Sequence, residues 1–139
     1  MAVTATPALP QNPVSGKVQI LPADTSSLKT VATGGTNGTK IVALIASSTD
    51  TTARDVQWGI TRSAVFYPIA TKTVPITSGF VAGTPSVALL NVTDAPGLPL
   101  DADGQPYLFL QSGDTLQAKS LTTVTTAKEI DLQAMGADF

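Results

Sequence analysis

Nine residues constrain the fold most. In RDVQWGITR, Arg54 to Arg62, the apolar side chains Val56, Trp58 and Ile60 alternate with the polar Asp55, Gln57 and Thr61. A period of two belongs to a pleated strand with one buried face and one wet face. Short segments of the same kind recur along the chain, each bounded by turn residues. KVQIL puts Val18 and Ile20 on one face, and LKTVAT is a weaker strand. GGTNG, Gly34 to Gly38, is a tight turn, because Asn-Gly accepts positive φ. KIVALIAS is apolar on both faces, as a central buried strand would be. In AVFYPIATKTV, Pro68 cannot donate to a ladder, which demands a sheet edge or a bulge. SVALLN, YLFLQ and TLQAKSL follow, and KEIDLQA closes the chain with Ile130, Leu132 and Ala134 in alternation.

Thr is the most abundant residue, and strong helix formers are few. β-branched side chains pack well on a pleated surface and lose rotamer freedom in helices. The expectation is an all-β chain of eight or nine strands with no helix. It packs as a single two-sheet β-sandwich, of which the jelly roll is one form. The 139 residues suit one domain with a real core, and no internal repeat divides them.

The first sixteen residues differ in kind. Pro7, Pro10 and Pro13 stand three apart without apolar periodicity, which predicts an extended, polyproline-like arm over residues 1–16. The sandwich domain is expected over 17–139. Such an arm is suited to lie on a neighbouring subunit or on its own domain, so Pro7, Pro10 and Pro13 are candidate partner-binding residues. The start has neither a basic segment nor a continuous apolar core, so no signal peptide is expected. The longest aliphatic run, Ile41 to Ala46, is far below the roughly 20 residues a membrane helix needs. Synthesis in the cytoplasm and no membrane partner are the expectations.

Composition narrows the chemistry. The chain contains no His and no Cys, which removes imidazole triads, thiol nucleophiles, thiolate metal sites and disulfides. Its eight basic residues are scattered, no two closer than eight positions. Phosphate-backbone binding needs them concentrated, so no nucleic-acid partner is expected.

Three motifs suggest chemistry and fail on spacing. DADG at Asp101 to Gly104 opens like a calcium loop, yet position twelve is Ser112, where a bidentate Glu belongs. Asp101, Asp103 and Asp114 are therefore read as turn residues, and no metal or cofactor is expected. GGTNGTK lacks the Gly-Lys-Ser/Thr order of a phosphate loop and precedes a strand. Glu129, the only Glu, shares the polar side of the last strand with Asp131. Such a pair defines a carboxylate hydrolase only at a set separation, and a solvated strand face is the simpler account. No catalytic residue is assigned. Among the aromatic residues, Trp58 is in phase with the core, which leaves Tyr67 and Tyr107 as candidates for exposed contacts, either with a partner protein or with sugar.

Two segments carry a resemblance to a known family. GTNGTKIVALIASSTDTTARDVQWGITR (Gly35 to Arg62) and LPLDADGQPYLFLQSGDTLQAK (Leu98 to Lys119) resemble small virion structural proteins of tailed bacteriophages, of the capsid decoration or cement type. The shared features are turns and strand patterns. The resemblance implies a non-enzymatic β-sandwich that binds the outside of the major capsid protein lattice as a dimer or trimer, and so a place on the virion surface. A tail, baseplate or fibre component is the nearest alternative. A carbohydrate-binding module using Tyr67 or Tyr107 is the alternative of another class.

Overall fold

The computed structural model describes residues 9–139. Among the described residues nine strands form, in order β1 (Asn12–Ile20), β2 (Lys29–Thr33), β3 (Thr39–Ser48), β4 (Arg54–Arg62), β5 (Val65–Val74), β6 (Val87–Ala88), β7 (Leu108–Leu110), β8 (Thr115–Ser120) and β9 (Ile130–Asp138). One turn of 3-10 helix, Pro22–Asp24, joins β1 to β2. The first sheet runs β1-β9-β3-β6, with β7 also paired to β3, and the second runs β2-β8-β4-β5. Every pairing is antiparallel.

The alternation read from sequence sets the inner faces. Ile20, Leu44, Ala46, Leu132 and Ala134 of the first sheet meet Val56, Trp58, Leu116 and Ala118 of the second, all buried. Val18 and Ile60 pack on that core from its margins. Pro68 satisfies both conditions set for it. It lies on β5, an edge strand, beside the register shift where β4 passes from Trp58 to Gly59. That shift presses β5 onto β4: a Cβ on Gly59 would stand 2.1 Å from the Tyr67 carbonyl oxygen, so only glycine fits.

Three expectations change in detail. β1 begins at Asn12, so residues 12–16 of the expected arm form the first half of an edge strand paired along β9. Period-two patterning missed this because Pro13 and Gly16 interrupt it, and an edge strand tolerates both. SVALLN yields only the two-residue β6, since the Leu89 and Leu90 amides both donate to the Leu44 carbonyl as the chain turns inward. β3 is central as expected, but among the described residues its outer side is open. A two-layer sandwich has no third layer to cover it, and Val42 is 53% exposed.

The chain's two arginines are the first and last residues of β4, about 26 Å apart at strand rise. Each holds a buried aspartate. At one end Arg54 Nε donates to Asp50 (2.8 Å), whose carboxylate also accepts from the Thr125 amide (3.0 Å) and hydroxyl (2.6 Å) and from the Thr52 amide (3.0 Å). Burial opposes ionisation there, but these donors outweigh it and hold the carboxyl well below its usual range. The β3–β4 and β8–β9 loops are thereby tied together. At the other end Arg62 grips Asp114 with two nitrogens (2.8 and 2.6 Å), and the Gln111 amide adds a third bond (2.9 Å). Arg62 is the main reason the Asp114 carboxyl lies below its ordinary value.

Candidate functional site: the outer face of the first sheet

The two outer faces of the sandwich are unlike. On the second sheet, polar side chains from neighbouring strands bond one another. Gln117 bonds Thr30 and Thr61, and Thr73 bonds Asp55. Lys119 reaches over the Phe66 ring. Such a face is satisfied by itself and by water.

On the first sheet, one register row crosses four strands as Pro13, Ala137, Lys40 and Phe109. Beside it the ladder between β3 and β9 slips, leaving Val42 as an extra residue between Ile41 and Ala43. A bulge re-aims a side chain, and here it adds an apolar group to the outside, next to Met135. Pro10, Pro13, Lys40, Val42, Met135 and Ala137 line a groove of about 460 Å³. Lys40 Nζ sits 4.5 Å from the centre of the Tyr107 ring, a cation–π contact beside β7. Tyr107 meets Phe109 edge-on at 5.1 Å, and Phe109 leans on Phe139 at 5.7 Å. Phe109 is 49% exposed. Apart from Lys40, the row is thus apolar and aromatic.

Toward the other end the same face turns polar. Lys17, Gln19, Asp131 and Gln133 stand there, and Gln19 Nε2 donates to Asp131 (3.0 Å). Asp131 is thereby engaged by a neighbour on the outer face. Glu129 precedes β9, and its backbone pairs with Thr49 through both its amide and its carbonyl. Glu129 therefore does not share the last strand with Asp131, contrary to the expectation from sequence.

The structure brings Pro10, Pro13 and Tyr107 to one face, as candidate contacts. Tyr67 is 57% exposed on β5, the far edge of the other sheet, beside Ile60 and Arg62, so it shares no surface with Tyr107. Pro7 lies outside the described residues. Sequence reasoning missed Val42, Met135 and Phe139. A bulge leaves no local signature, and the terminal Phe139 becomes relevant only through contact with β7.

Asp101 behaves as a turn residue. Its carboxylate accepts from the Asp103 and Gln105 amides, both at 2.9 Å, and Leu100 bridges to Pro106 across the turn. Asp114 does more than turn the chain, because it is the buried half of an ion pair with Arg62.

No protein-family model matches the chain, and no curated protein matches it. Among solved structures it is similar to a pentameric capsid protein isolated from metagenomic phage sequences, at 16% identity and a TM-score of 0.40, over 91% of this chain and 68% of that one. A second structure of a pentameric capsid protein from metagenomic phage sequences gives 16% identity and a TM-score of 0.39, over 89% of this chain and 61% of that one. The cyanophage Pam1 capsid asymmetric unit gives 13% identity and a TM-score of 0.45, over 99% and 94%. At TM-scores below 0.5 these likenesses assign neither a role nor a partner to the chain.

Proposed function

We propose that the protein is a non-enzymatic structural component of a tailed-phage virion, a decoration protein that binds the outer surface of the major capsid lattice and strengthens the head. The observation that carries this is the unlikeness of the two outer faces. One is polar and bonded within itself, while among the described residues the other presents Val42, Met135 and Phe109 exposed side by side. Apolar surface left open at one end of a sheet favours assembly. The turns and strands of residues 35–62 and 98–119, which resemble virion structural proteins, lead into and out of this face. The strand order β1-β9-β3-β6 over β2-β8-β4-β5 supports a jelly-roll description of the sandwich. Many copies on a lattice add weak contacts into firm attachment.

The test is to mix the purified protein with capsids that lack it, then pellet the particles and image them. Regular density on the outside of the head, lost in a Phe109→Ala, Val42→Lys double variant, supports the proposal. Density on tails would place the protein there instead, and no binding to any particle would refute the virion role. A carbohydrate-binding module is less favoured, because Tyr67 and Tyr107 stand on different sheets and form no shared platform.

A further inference from the structure

We propose that Asn37 is a site of spontaneous chemical modification, at which the folded protein converts this asparagine, alone among its three, to aspartate and isoaspartate through a cyclic imide with Gly38. The reaction needs no partner and does not rest on the capsid reading.

The ring closes by joining a side-chain amide carbon to the backbone nitrogen of the next residue. That nitrogen must carry a proton and be uncrowded, and the side chain must be free to turn toward it. The three asparagines differ on each count. Asn12 precedes Pro13, which has no N–H to give up. Asn91 precedes Val92, whose branched Cβ crowds the nitrogen. The Asn91 amide is also held at both ends. Its Oδ1 accepts from the Asp94 amide (2.9 Å), and its Nδ2 donates to the Ala88 carbonyl (2.8 Å) and the Asp94 carboxylate (2.6 Å). Asn37 is exposed and precedes a glycine, and its side chain makes one long bond, from Nδ2 to the main-chain oxygen of Phe139 (3.4 Å). The Gly38 amide donates to the Gly35 carbonyl across the turn (3.0 Å), so the turn has to open before the ring can close. Thr36 and Asn37 at its tip are exposed, and such an opening loses little buried surface.

The chemistry balances without an oxidant or a metal. The Gly38 nitrogen gives its proton to hydroxide and bonds to Asn37 Cγ. The Cγ–Nδ2 bond breaks, and Nδ2 leaves as ammonia with a proton from water. A second water opens the ring at either carbonyl, which yields aspartate or isoaspartate. The product reverses the local hydrogen bonding, because a carboxylate only accepts where the amide donated. The bond to the Phe139 oxygen is then lost. The Asp138 carboxylate, which accepts from the Thr39 hydroxyl, already packs on this turn: a Cβ at Gly35 would stand 2.8 Å from its carboxyl carbon. Two like charges then repel across one turn. The Phe139 amide donates to the Gly38 carbonyl (3.1 Å), so the modification loosens the hold of the turn on the residue after β9.

The test is to hold the full-length folded protein in mildly alkaline buffer and follow it by peptide mass mapping and isoaspartate detection. Conversion should be confined to the peptide that holds Asn37, should rise in proportion to hydroxide concentration, and should vanish in Asn37→Gln, whose larger ring closes far more slowly. Asp103 also precedes a glycine and isomerises without a change of mass, so only the mass gain of amide-to-acid conversion is counted. An Asn37 that stays intact while the urea-unfolded full-length chain converts would overturn the proposal. Conversion at Asn91 as fast as at Asn37 would overturn the distinction drawn among the asparagines. In Asn37→Asp, hydrogen exchange at the Phe139 amide should quicken severalfold with the circular dichroism of the sandwich unchanged; unaltered exchange would overturn the loosening of Phe139.

Discussion

Removing the Asp50 carboxylate should unlock one end of the sandwich. Its side chain is fully buried and receives four hydrogen bonds, from the Thr52 amide, the Thr125 amide and hydroxyl, and Arg54 Nε. In Asp50→Ala these donors lose their partner, and the Arg54 side chain, largely buried, keeps an uncompensated charge. Breaking a buried pair from one side costs about 3–5 kcal/mol. Single bonds to a charged acceptor contribute about 1.5–3 kcal/mol each, and because the four act as a unit they do not add. We expect Asp50→Ala to lose about 3–5 kcal/mol and Asp50→Asn, which keeps the shape and one acceptor, roughly half as much. Urea unfolding followed by Trp58 fluorescence is the assay, since Trp58 is the only tryptophan and lies in the core. The pH dependence has a definite sign. The folded carboxyl is held below its unfolded value, so its contribution is complete above about pH 4 and is lost as pH falls toward the lower folded value. Wild type should therefore weaken in acid more steeply than Asp50→Asn. A loss below about 1 kcal/mol for Asp50→Ala, or parallel acid profiles, would refute the idea that this carboxylate ties the loops together.

Other perturbations test separate parts of the structure. Gly59→Ala should destabilise by about 3 kcal/mol or more, because the new Cβ meets a backbone carbonyl that cannot rotate away; a folded variant of unchanged urea midpoint would show that β5 shifts freely. Asp114→Ala and Arg62→Ala should each lower the urea midpoint, and the double variant should lose less than their sum, since both delete one pair. Millimolar calcium should leave the melting temperature unchanged in wild type and in Asp101→Ala, because the Asp101 carboxylate already serves the turn amides; a calcium-dependent rise would reopen the metal reading. Deleting residues 2–8 should leave the sandwich stable, whereas deleting 2–16 should weaken it by removing half of β1; equal stability of the two would contradict the β1–β9 pairing.

Period-two alternation carried most of the fold, because burial on one face of a strand is written into every second residue. Val56, Trp58 and Ile60, or Ile130, Leu132 and Ala134, point to a core wherever the neighbouring sheet lies. The turns were equally legible, since Asn-Gly and Asp-x-x-Gly describe local backbone. Even the pairing of Pro68 with an edge and a bulge follows from one missing donor. Long-range partners have no such local trace. Nothing around Asp50 announces Thr125, seventy-five positions away, and nothing in GDT shows that Asp114 will meet Arg62. The groove is of the same kind. It exists because β1, β9 and β3 are brought side by side, and because a one-residue slip turns Val42 outward. Local chemistry therefore determined which faces are apolar, while only the tertiary arrangement decided which apolar face stays uncovered.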